Sequence, residues 1–310
     1  MTRANRLHTL MAVLCLILPA ILLASCMAAP TPEPTQTHLR TPVPASTATE
    51  TPSPTRRPTR TPSPTPSRTP TVTPQPFAWT RIAPGVSQAD VPVPIDGTDQ
   101  FAYIYALRIN PEAVTITVAY REQGPQSIED WQHETGAPIV MNAGFFSGSG
   151  RPVGRLIVDG RLYGGALRYE EDSVSVPGLF TVLDGRPEIF ALGRSTYNPR
   201  ALRFDYAVEC YPVLLLPGGQ PTFPVETEKA ARRSIVALDT DGNLVLVFSN
   251  LSLFTLHEAA NWLAISGLNL DTALNFDGGR SSGLAVRTGA EEQVYPSVVQ
   301  VPSVLVIYTR

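Results

Sequence analysis

The sequence predicts an α+β fold: a single β-rich domain with a large mixed or antiparallel sheet system and few helices, behind a disordered linker. Three observations predict it. Val114, Ile116 and Val118 alternate with Thr115 and Thr117, the period of a strand with one buried face. Asp-Gly pairs at 159–160, 184–185 and 241–242 each lie between apolar β-type runs, and Asp-Gly tolerates the positive φ that tight hairpins need. So many hairpins argue against a doubly wound parallel sheet, which alternates strands with crossover helices.

The elements follow in chain order. Residues 1–26 read as an export signal. Arg3 and Arg6 precede an apolar run from Leu10 to Ala24, closed by Leu23-Ala-Ser-Cys26. The run is shorter than the roughly 20 residues of a membrane span and fits a secretory signal. Its ending resembles a bacterial lipobox, which implies cleavage before Cys26 and lipidation of that thiol. The expected product is an exported bacterial lipoprotein, held by its lipid anchor on the extracytoplasmic face of the cell membrane. Residues 27–76 form a stalk. From 30 to 76, 14 of 47 residues are Pro and 14 are Thr. Nothing there can bury enough apolar surface to offset the entropy of ordering. Proline favours an extended, semi-rigid chain of about 3.1 Å per residue.

Residues 77–310 remain for the folded domain. Seven of the 24 basic and two of the 27 acidic residues precede Phe77, which leaves 17 against 25, a net charge of −8. Nucleic-acid binders show the opposite bias, so no nucleic-acid partner is expected. An anionic ligand must be met by particular arginines rather than by a bulk positive field. Cys210 is the single cysteine after Cys26, so the mature chain is expected to rely on its core rather than on an internal disulfide. No cysteine or histidine cluster has zinc spacing, and neither a metal nor a cofactor is expected.

Within the domain, Phe101–Ile109 and Glu112–Tyr120 read as strands divided by a turn at Asn110-Pro111. Ser127 with Asp130 marks a helix start. Ala137-Pro-Ile-Val-Met reads as a buried strand leading into Asn142. Asp239 and Asp241 resemble a catalytic pair, but Asp241 lies inside a hairpin between Ile235–Leu238 and Leu244–Phe248, which makes it a turn residue. Thr255 and Glu258 form a capping box. Leu256, Ala259, Ala260 and Leu263 then make one apolar stripe, and Gly267 suits a left-handed stop. The capping role accounts for Glu258, and His257 falls off the stripe as a surface residue.

The chemistry concentrates in Asp277-Gly-Gly-Arg-Ser-Ser-Gly283, which follows the strand Ala273-Leu-Asn-Phe276. Gly278 and Gly279 let backbone approach a ligand, and successive N–H groups in such turns can cradle an anion. Arg280 offers a planar cation suited to phosphate or carboxylate. Asp277 stands at the strand exit, with Ser281 and Ser282 as polar lining. The segment reads equally as an elaborate turn in which Asp277 bonds backbone amides. Three more segments contribute. Asn142-Ala-Gly-Phe-Phe146 places an amide and Gly144 at a strand exit. Glu209 opens an apolar stretch, as a rim carboxylate or an ordinary surface residue. Arg232-Arg-Ser234 precedes a strand, and alternation turns one arginine inward.

The order Asn-Ala-Gly-Phe-Phe, Pro-Val-Leu, Arg-Arg-Ser, Thr-Leu-His-Glu-Ala-Ala and Leu-Asn-Phe-Asp-Gly-Gly-Arg-Ser-Ser resembles the phosphodiester glycosidase family, whose bacterial relatives are often described as exopolysaccharide-biosynthesis proteins. The similarity runs from about Phe101 to Tyr308. It implies cleavage of a sugar-1-phosphate diester, with sugar released and phosphate left on the acceptor, in envelope or extracellular glycans. Phosphate is a good leaving group, so electrostatic stabilisation by arginine and backbone N–H should dominate. A carboxylate is still needed to stabilise the oxocarbenium-like centre or to activate water. Asp277 is the first choice for that carboxylate and Glu209 the second. Arg233 and Arg280 are the phosphate candidates, and Asn142, Gly144, Gly278, Gly279, Ser281 and Ser282 line the substrate. Arg280 departs from the family, which usually has a small residue there, as Phe276 departs from the usual Leu. Arg280 either adds a phosphate clamp or fills part of the pocket. The second case gives the alternative function: a non-catalytic glycan-binding or polysaccharide-assembly lipoprotein on the same fold.

Overall fold

A computed structural model describes residues 76–95, 98–168, 175–193, 203–222, 229–289 and 291–310. The export signal, Cys26 and all of the stalk but Pro76 lie outside the described residues. In chain order the elements are β1 (Thr80–Ala83), β2 (Val86–Pro94), β3 (Phe101–Ile109), β4 (Val114–Tyr120), α1 (Ile128–Thr135), β5 (Ile139–Asn142), β6 (Leu156–Val158), β7 (Arg161–Tyr163), β8 (Gly178–Leu183) and β9 (Arg186–Ala191). There follow β10 (Tyr206–Cys210), β11 (Val213–Leu216), β12 (Gln220–Pro221), β13 (Ala231–Asp239), β14 (Leu244–Phe254), α2 (Leu256–Ile265), β15 (Leu270–Asn275), β16 (Leu284–Thr288), β17 (Glu291–Tyr295) and β18 (Ser303–Thr309).

The strands form three antiparallel sheets, ordered β1-β2-β3-β14-β13-β15-β11-β12, β7-β6-β10-β8-β9 and β17-β16-β5-β18-β4. The α+β expectation holds, and every pairing is antiparallel rather than mixed. One core joins all three sheets. Leu107, Val236 and Phe276 reach it from the first, Phe180 and Val208 from the second, and Ile139 and Leu305 from the third. Period-2 alternation sends the other residues of the same strands outward. On the outer face of the first sheet, α2 packs over β11 and shares one apolar cluster with Leu214, Leu215 and Ala273. On the outer face of the third, α1 covers Val140, Ala285 and Val304.

Local signals place these elements as expected. The Ser127 side chain accepts from Asp130 N at 3.0 Å and opens α1. Thr255 accepts from Glu258 N at 3.1 Å while Glu258 Oε2 accepts from Thr255 N at 2.9 Å, closing the capping box of α2. Such a cap is worth about 1 kcal/mol. Burying Leu256 and Leu263 adds about 1.5–3 kcal/mol each. Asp159 and Asp184 take φ of 49° and 51° in their hairpins, the conformation that Asp-Gly anticipates. One boundary moves: β4 begins at Val114, because Asn110 caps a short 3-10 turn over Pro111–Ala113.

Antiparallel order sets the site. β13 runs from Ala231 to Asp239, and β15 pairs with it so that Asn275 faces Ile235. The β13–β14 hairpin therefore lies at one end of the first sheet and Asp277 at the other. Residues 277–283 cross from β15 in the first sheet to β16 in the third, so Asp277 stands on the seam between two sheets.

Candidate active site

Asn142 holds the crossing segment. It ends β5 and is 1% exposed. Its Nδ2 donates to the Asp277 carbonyl at 2.6 Å. Its Oδ1 accepts from Gly283 N at 3.0 Å and from Ser234 Oγ at 2.7 Å. Its backbone N–H donates to the Gly283 carbonyl at 3.1 Å. One amide thus fastens the first and last residues of 277–283 and ties them to β13. Gly283 must be glycine: a Cβ there would lie 2.5 Å from Ile128 Cγ1 and 3.0 Å from Ser297 N.

The Asp277 carboxyl is raised from 3.8 to about 6, because burial disfavours its charged form. The Ser281 hydroxyl and the Gly278 N–H donate to it and oppose the rise. A carboxylate so placed is ionised at neutral pH yet basic enough to take a proton. Gly279, at φ 62°, opens a 3-10 turn through Ser281. Ser281 and Ser282 are buried, and Ser282 Oγ has no partner among the described residues. Arg280 is exposed, and its carbonyl accepts from Val298 N at 2.8 Å.

Arg233 is the inward arginine of its pair. It is 6% exposed, and its Nε donates to the Phe254 carbonyl at 3.2 Å. Gly278 passes over it closely: a Cβ on Gly278 would lie 3.1 Å from the Arg232 carbonyl and 3.5 Å from Arg233 Nη1. Arg232 lies half-buried on the other face, its guanidinium 5.8 Å from the Phe248 ring centre.

Glu209 is held by Arg155. It is 1% exposed, with its carboxyl accepting from Arg155 N at 2.9 Å and from Arg155 Nη1 at 3.4 Å. Burial pushes its pKa up, opposed by the Arg155 N–H and guanidinium and by the Leu167 N–H. Along β10, Glu209 and its neighbour Cys210 face opposite ways. The Cys210 thiol, fully buried, is pushed up by burial and by the charges of Asp277 and Glu209, and is opposed by the N–H groups of Gly144 and Phe145. Gly144 therefore offers its N–H to Cys210.

The sequence pointed to Asp277, Asn142, Arg233 and the following glycines and serines, and the structure gathers these at one seam. It missed Ser234 and Arg155, which have no motif signal because their partners lie 92 and 54 residues away. Among the described residues no three His, Cys, Asp or Glu side chains are placed to hold a metal ion.

Comparison with known proteins places these residues in context. The family model for phosphodiester glycosidases matches residues 135–308. The fold is similar to the zebrafish N-acetylglucosamine-1-phosphodiester α-N-acetylglucosaminidase catalytic domain auto-inhibited by its pro-peptide. The TM-score is 0.54 at 15% identity, over 77% of this chain and 89% of that one. A hypothetical protein from Synechocystis is similar at a TM-score of 0.51 and 16% identity, over 76% of this chain and 64% of that one. No curated protein matches the chain.

Proposed function

The chain belongs to the phosphodiester glycosidase family, and from that membership we propose that it hydrolyses a sugar-1-phosphate diester, with Asp277 as the acting carboxylate. The single observation that carries the reading is Asp277 itself: a carboxyl at a sheet seam, raised to about 6, fixed through its own carbonyl by Asn142. In the proposed reaction the sugar C1–O bond to phosphate breaks and the phosphate takes the bond's electrons. Water adds to C1, and Asp277 either takes the water's proton or stabilises the positive charge developing at C1. Products are the free sugar and a phosphomonoester of the acceptor. Gly278 and Gly279 line the substrate in this reading, and the Ser281 hydroxyl holds the Asp277 carboxyl. Asn142, Arg233 and Ser282 hold the lining from beneath, since all three are buried. Glu209 anchors the turn at Arg155.

The exposure of Arg280 supports an open site and so favours an enzyme over a non-catalytic glycan binder. The lipobox-like Leu23-Ala-Ser-Cys26 and the Pro/Thr-rich stalk support the same domain working outside the cell, anchored by a lipid on Cys26, on envelope or extracellular glycans. The test is direct. The purified full chain, given the methyl diester of N-acetylglucosamine-1-phosphate, releases N-acetylglucosamine and methyl phosphate, and Asp277→Ala lowers the rate about 10³-fold without unfolding. Undiminished release by that variant overturns the assignment of Asp277.

A further inference from the structure

Phe254 joins two features of the first sheet. Its carbonyl accepts from Arg233 Nε at 3.2 Å, and Arg233 lies under Gly278, the residue after Asp277. Its ring stacks on Trp262 of α2, with centres 5.3 Å apart and planes 29° apart. Both rings line an open cavity of about 590 Å³ between α2, the end of β2 and the end of β14. Val93, Ile95, Leu253 and Ile265 supply further apolar wall, and Ile95 and Ile265 are left exposed to water. A groove of ligand size thus begins at the residue that fastens Arg233 beneath the catalytic segment. Three of its polar residues are already engaged. Glu258 Oε2 accepts from Thr255 N in the capping box, and Asn261 Nδ2 bonds the His257 ring at 3.0 Å. No arginine or lysine lines the groove among the described residues. A phosphoryl group finds no cation there, whereas a hydrocarbon chain finds apolar surface to bury. Val93 and Ile95 precede residue 135, so part of the groove is built outside the segment that the family model matches.

We propose that this groove takes a hydrocarbon chain, and that the preferred substrate is the sugar-1-phosphate diester of a long-chain alcohol. The diester has two arms. The polar backbone of 277–283 suits the sugar and its phosphate, and the apolar groove suits the alcohol. Water still adds to C1, the C1–O bond still breaks, and the phosphate leaves on the alkyl chain. The substrate half of the proposal rests on the hydrolase reading above; the affinity for an alkyl chain does not.

The experiment compares the methyl, butyl and octyl diesters of N-acetylglucosamine-1-phosphate as substrates of the full chain. Calorimetry on the same samples compares methyl phosphate with octyl phosphate, all below the concentrations at which micelles form. Expected kcat/KM rises by up to about fourfold per methylene, and by about 100-fold or more from methyl to octyl, as burial of CH₂ groups requires. Octyl phosphate is expected to bind more tightly than methyl phosphate in parallel. Ile265→Glu sets a charge at the groove wall and is expected to cut the octyl-to-methyl ratio about tenfold or more. Ile95→Asp acts from the opposite wall and reports even if the first variant does not fold. Leu162→Glu, exposed on β7 outside the groove, serves as the control that keeps the ratio. Rates and affinities indifferent to chain length overturn the groove and leave the hydrolase reading standing. An undiminished ratio in Ile265→Glu or Ile95→Asp overturns it as well. A parent dimer in sedimentation that Ile265→Glu dissociates assigns the groove to a second copy and overturns the proposal. Octyl phosphate binding that both variants weaken, with no diester turnover, supports the groove and overturns the hydrolase reading alone.

Discussion

At the β13–β14 hairpin end of the first sheet, Asp239 and Asp241 close on Arg108 at 2.7 and 2.6 Å. Asn243 and two backbone N–H groups complete the shell of Asp239. At the opposite end, Asp277 closes on no arginine among the described residues, and Arg232 and Arg280 on no carboxylate. The residue types are the same. Where opposite charges meet, burial produces a fastener. Where they are held apart, burial produces a carboxyl raised to about 6 and a desolvated cation, groups whose needs a ligand can meet. A polar cavity of about 730 Å³ opens at the hairpin end, lined by Asp184, Arg186, Glu188, Asp241 and Arg310, yet its neighbour Asp239 is fully engaged.

Breaking the paired end should cost stability and leave chemistry alone. Asp239→Ala removes a carboxylate whose side chain is 1% exposed, leaves the N–H groups of Asp241 and Asn243 without that acceptor, and leaves Arg108 with Asp241 alone. The expected loss is about 2 kcal/mol, read by denaturant unfolding, with kcat on the diester unchanged in the folded fraction. A fall in kcat comparable to that of an Asp277 variant would collapse the distinction between the ends.

Asn142→Ala should affect both properties at the seam. It leaves Ser234 Oγ and Gly283 N without their acceptor and releases the Asp277 carbonyl. The expected cost is about 3 kcal/mol, with kcat reduced about tenfold as 277–283 loses its fixed position. Unfolding curves and steady-state kinetics at matched folded fractions check the two effects.

Asp277→Asn should stabilise. A carboxyl raised in the fold above its usual value favours folding fully at low pH, and that contribution is lost as pH rises through about 6. The asparagine variant escapes the loss. It should exceed the parent by about 2 kcal/mol near pH 8 and converge with it below about pH 4. Equal pH dependence in both chains would contradict the unpaired state of Asp277.

Much of this comparison was legible in the sequence, for local reasons. Asp159-Gly160 and Asp184-Gly185 announced hairpins through the conformations they tolerate, and Thr255 with Glu258 announced a cap. The chain order of Ala273–Phe276 and Asp277 placed a carboxyl at a strand exit. What stayed hidden depends on pairing across the chain. Asn142 was read as substrate lining, but its partners are 135 and 141 residues away, and they turn it into a fastening. Alternation left Arg232 and Arg233 to share inward and outward roles. A register shift between Ala231 and Arg233 and the passage of Gly278 overhead decide which is buried. Glu209 opens an apolar stretch of the sequence and so looked like a rim residue, yet it lies near the end of β10 and the Arg155 backbone folds over it.

The pH dependence of diester hydrolysis by the full chain tests the central claim most directly. With Asp277 acting in its ionised form, kcat/KM rises with pH through an apparent pKa of about 6 and levels above it. The residual rate of Asp277→Asn lacks that limb. A parent profile that is flat across this range, or an Asp277→Asn variant that retains the same ascending limb, contradicts the account.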